Sequence, residues 1–191
     1  MASNLARNLR PGLNFRPIEC RRPGKGQMAG RLHQLFHQMP RILTKFFGEC
    51  DCEPTALFSF PAGLPGFEDQ TSFFFLTIPG SEPLLFLQSA TMRDLCFILL
   101  PVLVVDPQYR LELTREELLE LEFSHTEEPV IGTDVLCAAI VSSGDGEAPT
   151  VNLMAPIVVN LNAKSGIQAI HGESGYSHRH PLPLEEALIS C

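Results

Sequence analysis

Residues 56–89, ALFSFPAGLPGFEDQTSFFFLTIPGSEPLLFLQS, read as three short strands joined by two turns. In residues 56–60 Leu57 and Phe58 stand among small residues, and residues 72–78 and 84–89 are aromatic or aliphatic runs of strand length. Between the first two lies Gly63-Leu64-Pro65-Gly66-Phe67. Proline presets φ and glycine admits φ > 0, so this pentapeptide is a tight reversal. Leu64 and Phe67 carry large apolar side chains out of that turn. Solvent-facing turns are mostly polar, so an apolar one either folds back on a core or meets a partner. Pro79-Gly80 marks the second turn.

The pattern continues on both sides. Residues 41–48 hold Ile42, Leu43, Phe46 and Phe47 and are closed by Gly48. Residues 95–105 read as one buried strand, and residues 135–142 as another. A hairpin-like turn at Gly144-Asp145-Gly146 follows, then strand runs at 149–153, 157–161 and 167–171. One segment is helical: Thr114-Arg115-Glu116-Glu117 is a capping box, followed by an apolar stripe of Leu118, Leu119 and Leu121. A second short helix is expected over residues 184–189. Strands at roughly 8–12-residue spacing with one or two short helices define a mainly β chain, a small antiparallel barrel or sandwich.

At 191 residues and 45% hydrophobic, the chain supplies one well-buried domain. Its longest apolar run, residues 95–105, contains a proline and is far short of the roughly 18–20 residues that cross a bilayer. The net charge of −8 hides an uneven split. Residues 1–38 carry seven basic residues and one acid, Glu19, for +6, and residues 39–191 carry −14. The first 38 residues have the composition of a disordered basic arm. Two alternatives stand beside that reading: an organellar transit peptide, or translation that begins at Met39. The domain therefore runs over 39–191. An acidic domain repels nucleic acid and favours encounter with basic proteins, although solubility alone also accounts for net charge. The six cysteines match a reduced, cytosolic set, and Cys50-Asp51-Cys52 lacks the spacing of a redox or zinc pair.

Catalytic patterns are absent. There is no phosphate-cradling glycine motif and no nucleophile elbow, and the paired acids Glu116/Glu117, Glu127/Glu128 and Glu185/Glu186 lie in polar stretches. His171, His178 and His180 are the one metal-like set. They keep open the alternative of a small metal-dependent hydrolase. The basic arm keeps open a second alternative, RNA binding by charge. Elimination leaves a module that binds other proteins, with no cofactor.

Four segments in order then bring a family into view. Gly63-Leu64-Pro65-Gly66-Phe67-Glu68, Leu87-Gln88-Ser89, Asn152-Leu153-x-Ala155-Pro156-Ile157-Val158-x-Asn160 and Tyr176-x-x-Arg179-His180-Pro181-Leu182 resemble the flagellar assembly factor FliW family. The resemblance extends from Met39 to about Glu186 and leaves out the arm. It implies a small, mostly antiparallel barrel-like domain in the bacterial cytoplasm that binds flagellin. When flagellin is exported, it binds the translational repressor CsrA instead and so relieves repression of flagellin mRNA. Leu64, Phe67, Glu68, Asn152, Asn160, Arg179 and His180, which lie in those segments, are the candidate partner contacts. Leu64 and Phe67 are expected to line a groove for an amphipathic helix. Structural roles compete: Asn152 and Asn160 can satisfy backbone groups around Pro156, and Arg179 can pair with an acid of the domain.

Overall fold

The computed structural model describes residues 18–19, 41–51, 56–124, 128–144, 147–172 and 175–182. In chain order its elements are β1 (Ile18–Glu19), β2 (Arg41–Thr44), β3 (Gly48–Asp51), β4 (Leu57–Ser59), β5 (Ser72–Thr77), β6 (Leu85–Ser89), β7 (Cys96–Pro101), α1 (Val102–Val105), α2 (Arg115–Glu120), β8 (Val135–Ser142), β9 (Thr150–Asn160), β10 (Ser165–Gln168) and β11 (His180–Pro181). Seven strands, β5-β4-β10-β9-β8-β7-β6, form a ring that closes through the β5–β6 ladder. Closure removes the sheet edges that an open sheet would expose. Every ladder in the ring is antiparallel except the β4–β10 seam, a single parallel pair between Ser59 and Ser165.

The sequence Phe73-Phe74-Phe75-Leu76 on β5 does not alternate, and the packing explains why. Phe73 and Phe75 point into the barrel with Phe58, Phe60, Leu64, Leu87, Leu99 and Ile157. Phe74 and Leu76 face outward, yet they too are buried, in a cluster with Phe86 against which Phe47 and Ile18 pack. A strand covered on both faces reads as a continuous apolar run. Phe47 meets Phe86 edge-on at 5.0 Å. A third layer lies outside β8, β9 and β10, where Cys137, Ala139, Leu153 and Val158 pack under Val102, Tyr109 and Leu121.

Four expectations from the sequence change. Residues 41–48 are not one strand but the hairpin β2–β3, whose three-residue loop ends on Gly48 at φ +70°. Thr44 holds that loop: its Oγ1 accepts from the Phe47 amide at 2.9 Å and donates to the Gly48 carbonyl at 3.1 Å. Residues 95–105 divide into β7 and the single turn α1, because Pro101 has no N–H to extend the ladder and its φ of −54° suits a helix start. Residues 149–153 and 157–161 belong to one strand, β9, which runs through Pro156. The β8–β9 ladder skips there from Ala138–Ile157 to Ile140–Asn152, so proline sits in a bulge where its missing amide costs no ladder bond. The last run is shorter than expected and shifted, β10 ending at Gln168.

Helix α2 forms as its capping box requires. The Glu117 amide donates to Thr114 Oγ1 at 3.2 Å, and the Thr114 amide donates back to Glu117 Oε2 at 2.8 Å. Of the expected N-terminal arm, Ile18 and Glu19 are described, as β1 parallel to Leu76 and Thr77 of β5. The rest of residues 1–38 and the expected helix at 184–189 lie outside the described residues, as does the centre of the turn at 144–146.

Candidate partner-binding sites

The registers send the sequence-predicted contacts to opposite ends of the barrel. Leu64, Phe67, Glu68 and Asn160 cluster where Ser59 pairs Ser72 and Asn160 pairs Ser165 and Val135. Asn152, Arg179 and His180 lie at the other end, where β9 begins between β8 and β11.

At the first end, Gly63 takes φ +67°, and a Cβ there would stand 2.6 Å from the Glu68 Cα and the Phe67 carbonyl oxygen. Only glycine fits. Leu64 and Phe67 then face each other across the turn, the Phe67 amide donating to the Leu64 carbonyl at 2.7 Å. Leu64 is 1% exposed and fills the barrel end, so the expected Leu64–Phe67 groove is absent: an apolar turn tip has folded back on its own core. Phe67 is half-buried and sets its edge against Phe97 at 5.6 Å. Glu68 is exposed, and the Gly66 amide donating to Oε1 at 2.8 Å holds its carboxyl below the usual range.

Asn160 is 3% exposed. Its Nδ2 donates to the Leu121 carbonyl at 2.8 Å, and its Oδ1 accepts from the Asn162 and Ala163 amides at 2.9 and 3.1 Å. It is therefore a strut between β9 and the end of α2, with no surface to offer a partner. Gln88 is also a strut: its Nε2 donates to the Ser89 and Leu95 carbonyls at 3.1 and 2.9 Å. Beside it, Gln70 Oε1 accepts from Ser89 Oγ at 2.8 Å and Thr91 Oγ1 at 2.7 Å, tying two turns together.

At the second end, an open cleft of roughly 360 Å³ is lined by Ser142, Glu147, Thr150, Asn152, His178 and Arg179, among others. Arg179 Nη2 donates to Glu147 Oε2 at 2.8 Å, and both side chains are largely exposed. Solvent screens such a pair, so it orients the guanidinium without fixing it. Asn152 Oδ1 accepts from the Ala155 amide at 3.0 Å and braces the bulge. His180 pairs with Val151 in the β11–β9 ladder. Tyr176 anchors this C-terminal segment by stacking on Tyr109 at 4.4 Å, while its hydroxyl accepts from the Arg110 amide at 3.0 Å. A guanidinium, an imidazole, an amide and two hydroxyls in an open cleft suit a peptide backbone or a carboxylate. Glu147, Ser142 and Thr150 had no sequence signal: their meeting with Arg179 depends on β11 returning to β9.

The histidines do not assemble. His171 lies against Glu117 of α2, with Nε2 to Oε2 at 3.5 Å, while His178 lines the cleft and His180 sits on β11. Among the described residues no group of three His, Cys, Asp or Glu side chains is placed to hold a metal ion. The hydrolase alternative therefore loses its ligand set.

Comparison with known proteins gives a consistent result. A family model described as FliW protein matches residues 41–182. A "Flagellar assembly factor FliW" from Syntrophomonas wolfei is 33% identical over 142 residues, covering 74% of this chain and 88% of that protein. Another from Desulfitobacterium hafniense strain Y51 is 38% identical over 150 residues, covering 78% and 95%. A crystal structure of the flagellar assembly factor FliW superposes with a TM-score of 0.65 at 27% identity, over 74% of this chain and 96% of that one.

Proposed function

This chain belongs to the FliW family, whose named relatives are flagellar assembly factors, and from that premise we propose that it serves flagellum assembly as a non-enzymatic protein binder. Its partners on this reading are flagellin and a CsrA-type translational repressor, bound in alternation in the bacterial cytoplasm. While flagellin occupies the factor, the repressor holds flagellin mRNA; export of flagellin frees the factor to take the repressor away.

The observation that carries the reading is charge. Residues 39–191 hold −14, and an RNA-binding repressor must present basic surface, so the two attract over a Debye length of about 10 Å at 0.1 M salt. The open cleft at Arg179 and His178, with Asn152 and His180 beside it, and the edge formed by half-buried Phe67 and exposed Glu68 are the contact surfaces we assign. They lie at opposite ends of the barrel, which allows two partners to be read by different faces. Among the described residues no helix is long and apolar enough to cross a membrane.

Titration calorimetry of the full chain against the CsrA-type repressor of the same organism tests this. The expected result is a complex whose affinity falls as salt rises from 50 to 300 mM. Absence of heat and of co-elution at low ionic strength refutes the repressor arm, and the same outcome with flagellin refutes the other.

A further inference from the structure

The ring is closed, but on its β4 side strand β5 is only partly paired by the ring. Strand β4 is three residues long and pairs only with Ser72, Phe73 and Phe74. Among the described residues, the rest of β5 has no partner from the ring on that side, because β4 begins only at Leu57. The vacant edge is filled by β1, whose Ile18 and Glu19 run parallel to Leu76 and Thr77. Leu76 thus pairs with Phe86 on one side and Ile18 on the other. The Ile18 side chain packs on the outer cluster of Phe74, Leu76 and Phe86.

We propose that β1 is a displaceable plug, occupying in cis a strand-docking slot on β5 whose other occupant is an extended basic segment of a protein partner. Three observations converge. The slot is made by the domain, whereas its plug is not, since the family match begins at residue 41. The slot has the two elements of strand-addition recognition: free main-chain groups on β5 and an apolar cluster that receives one side chain. The plug carries the chemistry the slot selects: a β-branched residue, Ile18, in a stretch whose sequence also holds Arg16, Arg21 and Arg22, while residues 39–191 carry −14. Two residue pairs make a short ladder, held largely by tethering at high effective concentration. A partner segment with a longer ladder or more basic flanks displaces it.

The test uses a fluorescein-labelled peptide of residues 13–24, a control peptide with Ile18→Ser that keeps every arginine, the full chain and its Ile18→Asp variant. Fluorescence anisotropy is expected to show the variant binding the native peptide at least tenfold more tightly than the unaltered chain does. Hydrogen exchange of the 75–78 segment is expected to quicken in the variant and to slow again when peptide is added. Ile18 lies outside the barrel, and circular dichroism checks that the variant keeps its fold. Equal binding by both chains, unchanged exchange in the variant, or equal binding of the control peptide each overturn the proposal. So does a dimer of the unaltered chain that the variant abolishes, since the arm would then dock between copies.

Discussion

Asn160→Ala removes one side chain that serves three backbone groups, and its cost can be worked from the geometry. The Leu121 carbonyl it serves is buried, and a buried acceptor left without a partner costs about 1–3 kcal/mol. The Asn162 and Ala163 amides lie in a half-exposed turn that water can reach, so each adds less, about 0.5 kcal/mol. The total is about 2–4 kcal/mol, equivalent to a Tm lower by roughly 5–15 °C for a chain of this size. Urea denaturation followed by far-UV circular dichroism measures it, since the chain has no tryptophan. Asn160→Asp sharpens the test. It keeps an acceptor for the two amides but sets a carboxylate oxygen against the Leu121 carbonyl. The folded state then favours the protonated acid, which can donate, so the folded pKa rises. The variant should therefore lose ground to the parent as pH rises through the carboxylate range, and regain it on acidification. An Asn160→Ala variant within about 0.5 kcal/mol of the parent, inside the range of ordinary surface substitutions, would refute the reasoning and return Asn160 to the list of partner contacts.

Gly166→Ala would place a Cβ 2.5 Å from the ring of Phe60, which is fully buried; overpacking of this kind costs about 1–3 kcal/mol, and adding Phe60→Leu should recover part of it in a double-mutant cycle. Phe67→Ala, which loses the edge contact with Phe97, should lower stability by about 1–2 kcal/mol in the same urea assay. Arg179→Ala should change stability by less than about 0.5 kcal/mol, because its partner Glu147 is as exposed as it is, while weakening partner binding in calorimetry. Burial pushes the Cys96 thiol up to about 12 and raises the Cys137 thiol and the Tyr109 hydroxyl as well. Unfolded, these groups ionise first, so stability is full below pH 9 and should fall as pH rises from there, which alkaline urea titrations will show.

The strands were legible where the chain gives a local signal. β5, β6 and β8 follow from aromatic and branched runs, and α2 from a capping box that depends on four adjacent residues. The misreadings share a cause: a local rule was outvoted by a distant partner. Pro156 argued for a break, but a bulge opposite Ala139 absorbs it. Leu64 left two readings open, a turn folded back on the core or a groove, and only the packing shows that it plugs the barrel. The positive φ of Gly63, by contrast, was readable as a need for glycine in the turn. At the second site Asn152 and Arg179 were visible as family positions, but their neighbours Glu147 and Thr150 were not. Only the return of β11 beside β9 brings them together, and nothing within a short window of residues encodes it.

The seam between Ser59 and Ser165 also sets a timetable. Each hairpin in the ring can form from neighbouring segments, but the ring shuts only when β10, near the end of the chain, reaches β4, near the beginning of the domain. Contacts so distant in sequence form late, after the loop entropy between them has been overcome. During synthesis the first six ring strands, β4 to β9, therefore emerge as an open, curling sheet with Phe58, Phe73 and Phe75 on its inner face. The growing chain stays adhesive until β10 has been made, so the stage before it emerges is when the chain most needs shielding from other chains.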